Sequence, residues 1–166
     1  MNLVTKGPAP RAMLLEIYLN DHLAGSVGGV QLARRCRSSN PEPPLAPDLD
    51  RLITEVVQDR QTLEQVMRLL GVRRNPLKQA AAFAAEKAGR AKLNGQLTGY
   101  SDLSRLVELE GLALGVTGKR ALWESLAQLA DRRLAAIDFD ELLARADRQL
   151  KVLAQHRLAA AALAFP

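Results

Sequence analysis

Residues 18–30 read Tyr-Leu-Asn-Asp-His-Leu-Ala-Gly-Ser-Val-Gly-Gly-Val, and this stretch decides how the chain is interpreted. An acid and the first histidine, Asp21 and His22, lie within an otherwise apolar helical pattern beside small residues. At 100° per residue, the opposite helix face carries Glu16, Asn20, Gln31 and Arg34, and one face carries Leu14, Leu15, Tyr18, His22, Gly25, Gly29, Leu32, Ala33 and Cys36. A polar side chain on a core-facing surface needs a partner. The stretch therefore predicts polar partners on other helices.

The composition is typical of one globular, helical domain. The chain has 166 residues, with 48% hydrophobic, 25% charged and only 4% aromatic residues. Alanine and leucine dominate, and both favour helices. The single cysteine, Cys36, excludes an internal disulfide. Because residues 1–11 lack a signal-like apolar core and no run of about 18 apolar residues occurs, we expect a cytoplasmic protein without a membrane span.

Proline, glycine and capping residues divide the chain into a tail, residues 1–10, and a helical domain, residues 11–166. Ser101 and the Asp138–Glu141 pair have the spacing of helix N-caps, and Gly71 is placed to end a helix. A proline-rich loop is expected at residues 38–47. The predicted helices span residues 11–37, 48–70, 76–93, 102–134 and 139–163.

Four long helices and one shorter linker helix predict an all-α, antiparallel four-helix bundle. The connection between the second and fourth predicted helices is long enough to travel the length of the bundle. Such a connection allows the second pair of helices to run in the same direction as the first pair, with one crossover, as in ferritin-like topology.

The predicted helices place several titratable groups toward the interior. The second helix directs Asp59 inward, within an apolar face of Leu49, Leu52, Ile53, Val56, Leu63, Val66, Met67 and Leu70. The fourth helix directs Glu110 inward with Glu108 pointing away. On the fifth helix, Asp147 lies at the flank of the apolar face and Arg157 at its centre. The candidate site is Tyr18, Asp21, His22, Asp59 and Glu110, with Asp147 as a further metal candidate, and His156 is expected off the core face.

Three interpretations of this cluster remain open. A metal site for iron, manganese or zinc would use His22, Asp59, Glu110 and Asp147. A buried hydrogen-bonded network would hold His22 against Asp21, Asp59 or Glu110. A small-ligand pocket would be lined by these groups, with Tyr18, Gly25 and Gly29 beside them. An acid–base enzyme is not expected, because no nucleophile spacing or cofactor fingerprint occurs.

Three segments resemble small bacterial ferritin-like helical-bundle proteins: residues 18–25, residues 59–66 and Leu-Val-Glu-Leu-Glu-Gly at 106–111. The resemblance implies a ferritin-like bundle in which inward acids bind two metals, with Asp21 or His22, Asp59, Glu110 and Asp147 as the counterparts. The paired Glu-x-x-His motifs of that family are absent here. Their places hold Glu55-x-x-Gln58 or Asp59-x-x-Thr62, and Asp147-x-x-Leu150.

The remaining features concern partners. The net charge is +5, and the basic stretch from Arg73 to Lys92 is interpreted as a solvated surface instead of a nucleic-acid site. Apolar residues cover most of the fourth predicted helix, which favours self-association. Its glycines, Gly111, Gly115 and Gly118, are interpreted as close-packing positions. The leading hypothesis is a non-catalytic structural or binding module without a cofactor; the alternative is a metal or small-ligand site centred on His22, Asp59 and Glu110.

Overall fold

The computed structural model describes residues 10–76 and 99–165. These residues form four α-helices, one 3-10 turn and no strand. The elements are α1 (Arg11–Ser39), α2 (Leu45–Leu70), α3 (Asp102–Ala127), the 3-10 turn (Arg132–Leu134) and α4 (Phe139–Ala164). The all-α prediction is confirmed for this part of the chain. Apart from Pro76, the predicted helix at 76–93 lies outside the described residues, as do residues 1–9.

The predicted caps at three helix ends are present. The Ser101 side chain accepts a hydrogen bond from Ser104 N at the start of α3, and Asp138 accepts one from Glu141 N at the start of α4. Gly71 ends α2 with φ +71°, where its N–H donates to Arg68 O. Local capping chemistry therefore determines these boundaries.

Two predicted boundaries are wrong. Helix α2 begins at Leu45, inside the expected proline-rich loop, because Ala46 N already donates to Glu42 O. Proline is tolerated there, since N–H groups in a first turn have no partner within the helix. Helix α3 ends at Ala127, well before residue 134. The chain turns at Ala130, whose φ is +48°, and Asp131 caps the 3-10 turn that follows.

Contacts between the helices fix their directions. Helix α1 packs against α2 and α3, and α4 packs against α3 and α2. The α1–α3 pair is antiparallel, because Arg35 contacts Glu108 and Tyr18 contacts Ser125. The α2–α4 pair is also antiparallel, since Asp48 contacts His156 and Asp59 contacts Arg145. The α3–α4 pair is antiparallel as well, since Glu110 lies near Arg157 and Arg120 contacts Asp147. Because α2 and α3 are both antiparallel to α4, they run in the same direction.

The chain crosses from one end of the bundle to the other between α2 and α3. Asn75 N donates to the Asn20 side chain near the start of α1, at 2.6 Å. Asn40, just past the end of α1, donates to the Tyr100 hydroxyl at 2.9 Å. Twenty helical residues span about 30 Å. The crossover predicted from the sequence is thus required by the positions of its two ends.

The hydrophobic core has two parts. One, toward the end of α1, contains Ala33, Cys36, Leu49, Leu52, Leu109, Leu112, Val116 and Leu153. The other, toward the start of α1, contains Leu19, Leu23, Leu63, Val66, Met67, Leu122, Trp123 and Leu126. Between them lie charged side chains and a pocket. No described helix is long and apolar enough to span a membrane.

Candidate functional site

A pocket of about 370 Å³ lies between α1, α2 and α3, at the level where the two parts of the core meet. Leu52, Leu112 and Val116 from one part and Leu63, Leu122 and Trp123 from the other contribute to its wall. Its polar lining comes from Tyr18, Asp21, His22, Ser26, Asp59, Arg60 and Lys119. Gly25 and Gly115 on its wall are exposed, so within the described part of the chain the pocket opens to solvent.

Glycines make the space. Gly25 and Gly29 on α1 face the pocket, as do Gly111, Gly115 and Gly118 on α3. Among the described residues, no atom lies within 4 Å of a Cβ built at Gly25, Gly29, Gly115 or Gly118. Only at Gly111 is the approach close, with Leu32 Cδ2 at 3.0 Å. Among the described residues the predicted close packing is thus seen at Gly111, whereas Gly115 and Gly118 line the pocket.

Asp59 lies at the floor of the pocket and is almost fully buried, at 2% exposure. Its Oδ2 accepts from Lys119 Nζ at 2.5 Å, and its Oδ1 accepts from Arg145 Nη1 at 3.0 Å. The inward orientation predicted for Asp59 is confirmed. Its partners, however, are two cations that the sequence analysis did not identify.

The ion pairs extend to α4. Lys119 Nζ also donates to Gln149 Oε1 at 2.6 Å, and Gln149 Nε2 donates to Glu55 Oε2 at 2.7 Å. Burial lowers the pKa of Lys119, although Asp59 opposes the shift. The spacing of residues along α3 could have predicted that Lys119 faces inward. Lys119 lies three residues after the buried Val116 and four residues before the buried Trp123. Gln149 stands likewise between Ala146 and Leu153.

His22 is half-buried on the α1 wall of the same pocket. The Tyr18 ring meets its imidazole edge to face, with centroids 4.6 Å apart. Burial lowers the pKa of His22, and the neighbouring Asp21 carboxylate partly offsets this shift. Tyr18, Asp21, His22 and Asp59 thus share one pocket. Within the described ranges, no group of three His, Cys, Asp or Glu side chains is placed to hold a metal ion.

Glu110 is not part of this site. Its side chain is 48% exposed and lies 4.0 Å from Arg157, whereas Glu108 is buried. The predicted orientations of these two glutamates on α3 are reversed. Arg157, expected at the centre of the apolar face, lies at its edge, 37% exposed. Apolar residues surround so much of α3 that their pattern does not fix the buried face.

Glu108 belongs to a second polar cluster, at the end of α1. Its Oε1 accepts from Arg35 Nε at 2.6 Å, and its Oε2 accepts from the Tyr100 hydroxyl at 2.8 Å. Asn40 donates to Tyr100 and accepts from Arg105 Nε. Burial, with Glu108 nearby, raises the pKa of the Cys36 thiol to about 12. This cluster joins α1 to α3.

Three other predicted orientations are corrected. Asp147 is exposed and pairs with Arg120 on the surface, at 2.6 Å. Glu110 lies near Arg157, about three helical turns away, so Asp147 and Glu110 do not share a site. His156 is mostly buried and contacts Asp48 Oδ2 at 2.8 Å, although it was expected off the core face. Asn20, placed on the outer face, is buried and donates to Arg73 O. The lysines of the predicted basic stretch lie outside the described residues.

The lowered pKa of His22 predicts how stability depends on pH. The folded protein binds the His22 proton more weakly than the unfolded chain, where the pKa of histidine is about 6.5. The unfolded state therefore binds more protons near and below this pH, and stability falls as the pH drops through about 6.5. We expect His22→Gln to remove part of this fall, measured by denaturant unfolding between pH 7.5 and 5.

An NMR titration of the His22 ring provides the direct check. The nearest charge is Asp21, and the other charged groups on the pocket wall are Asp59, Arg60 and Lys119. A midpoint below 6.5 is expected, since burial outweighs the Asp21 carboxylate. A midpoint at or above 6.5 would contradict the assignment of His22 to a desolvated pocket wall.

Comparisons of this chain with protein-family models, curated proteins and solved structures find no match. The geometry of the pocket is therefore the basis for a functional assignment.

Proposed function

We propose that this chain is a non-catalytic helical bundle that binds a small, mostly apolar molecule in the pocket between α1, α2 and α3. One observation carries the proposal: among the described residues, two neighbouring helices present glycines to an open-sided space of about 370 Å³ beside the core. Ligand sites in proteins have volumes of about 300–1,000 Å³, with apolar walls and a few convergent polar groups. The pocket has this size and this kind of lining.

The ferritin-like assignment remains our proposal for the fold family. It is supported by four helices in which α1 and α2 are joined by a short loop and one connection crosses the whole bundle.

Metal chemistry is less well supported. Lys119 and Arg145 occupy the oxygens of Asp59, and Arg120 holds Asp147. We therefore propose a cytoplasmic ligand carrier without a metal cofactor, and self-association through the exposed apolar residues of α3, such as Leu114.

Trp123 provides a direct probe of the proposed site. It is the only tryptophan in the chain, it is fully buried, and it lines the pocket. We expect decanoate or 1-decanol, two ten-carbon probes, to change Trp123 emission saturably with one site per chain. Absence of saturable binding by both probes would contradict the proposed function.

Two neighbouring glycines give a matched pair of variants. Gly29 faces the pocket, whereas Gly28, next to it on α1, does not. We expect Gly29→Leu to fill the pocket, to weaken probe binding at least tenfold and to raise the free energy of unfolding by about 1–3 kcal/mol. Gly28→Leu should raise the free energy of unfolding by only about 1 kcal/mol, because leucine has the higher helix propensity, and it should leave probe binding unchanged. Equal loss of binding in both variants would argue against the pocket.

A further inference from the structure

We propose that the ligand carries an anionic acceptor group, such as a carboxylate, bound by Lys119 and Trp123 on the α3 wall of the pocket. This inference rests on the proposed function and specifies the chemistry of the ligand. It follows from the hydrogen-bonding groups on the pocket wall, where donors are left over and acceptors are already in use.

Lys119 supplies the first donor. Its ammonium has three N–H groups, of which one donates to Asp59 Oδ2 at 2.5 Å and one to Gln149 Oε1 at 2.6 Å. The third N–H has no acceptor among the described residues. Because Lys119 lines the pocket and its side chain is only 15% exposed, a bound acceptor is the natural partner for that N–H.

Trp123 supplies the second donor. Its indole N–H is buried and has no hydrogen-bond partner in the described part of the chain. The residue lies one helical turn after Lys119 on α3, and both contribute to the same wall. Buried N–H groups in proteins are normally paired, so this donor also indicates an acceptor on the ligand.

The acceptors nearby are already engaged. Both oxygens of Asp59 accept from cations, Lys119 and Arg145. Glu55 accepts from the Gln149 amide N–H at 2.7 Å, and its carboxylate also favours the charged form of Lys119. Asp59 and its two cations together carry one net positive charge, which the nearby Glu55 carboxylate offsets in part. An anionic group approaching Lys119 therefore meets a favourable charge, whereas an ammonium group would compete with two cations already in place.

The volume limits the rest of the ligand. An apolar cavity of about 150 Å³ accommodates benzene, so a pocket of about 370 Å³ accommodates roughly 15 non-hydrogen atoms. A carboxylic acid with an apolar body of about ten carbons satisfies both the volume and the donor groups.

Three ten-carbon probes that differ in head group test the inference: decanoate, 1-decanol and decylamine, each titrated by calorimetry at pH 7.5. We expect decanoate to bind at least tenfold more tightly than 1-decanol, and decylamine to bind most weakly. Lys119→Met should reduce decanoate affinity to that of 1-decanol and leave 1-decanol unchanged. Because Asp59 keeps Arg145 in this variant, its folding is checked by circular dichroism.

Trp123→Phe is the second variant, since it keeps the aromatic ring and removes only the N–H donor. We expect it to weaken decanoate several-fold more than 1-decanol. The inference is overturned if 1-decanol or decylamine binds as tightly as decanoate, or if neither variant alters the preference for decanoate. Absence of one-site binding by all three probes would instead contradict the proposed function itself.

Discussion

Replacing Asp59 with alanine is expected to lower the free energy of unfolding by about 3–5 kcal/mol, the cost of breaking a buried charge pair. The carboxylate is 2% exposed and holds Lys119 and Arg145, which come from α3 and α4. Without Asp59, both cations stay buried without their main counter-charge. A domain of this size is stabilised by only about 5–15 kcal/mol in total. The loss therefore removes a large share of the stability of the bundle.

Asp147→Ala is the matched control for this prediction. Asp147 also pairs with an arginine on a neighbouring helix, but its side chain is 55% exposed. Exposed pairs contribute about 0–1 kcal/mol, so this variant should remain within 1 kcal/mol of the wild type. Denaturant unfolding at pH 7 measures both variants. Similar small losses would show that the Asp59 ion pairs do not hold the three helices together.

Asp59→Asn separates charge from packing. The amide keeps the shape and one acceptor oxygen, but it presents an NH₂ group to one of the two cations. We expect an intermediate loss, about half that of Asp59→Ala. If Asp59→Asn were as stable as the wild type, hydrogen bonding to a neutral acceptor would suffice at this position, and the net positive charge assigned to the floor of the pocket would be immaterial.

The sequence was informative where apolar and polar residues separate cleanly along a helix. In α2 they do, and six of the eight predicted apolar-face residues are buried, together with Asp59. Gly71, Ser101 and Asp138 were identified because capping depends on local chemistry. The crossover was predictable because the chain length between the second and fourth predicted helices allowed it.

The sequence was misleading where the buried face is weakly marked. Glycine and alanine occupy much of residues 24–33 in α1, so the face toward α2 was not distinguished from the face toward the pocket. As a result Leu14, placed on the core face, is 53% exposed. The pocket could not be predicted as such, because a glycine on a helix accompanies close packing as readily as open space. Only tertiary geometry distinguishes Gly111 from Gly115.

The two glutamates of α3 offer a sharp test of the corrected helix face. We expect Glu108→Ala to lower the free energy of unfolding by about 2–3 kcal/mol, because Arg35 and the Tyr100 hydroxyl both lose a buried acceptor. Glu110→Ala, two residues away, removes only a half-exposed side chain 4.0 Å from Arg157, and should change stability by about 0.5 kcal/mol or less. Helix propensity and net charge change equally in the two variants. The difference between their unfolding free energies, measured in urea, therefore reports the burial and the hydrogen bonds of Glu108. A larger loss for Glu110→Ala would restore the orientation predicted from the sequence.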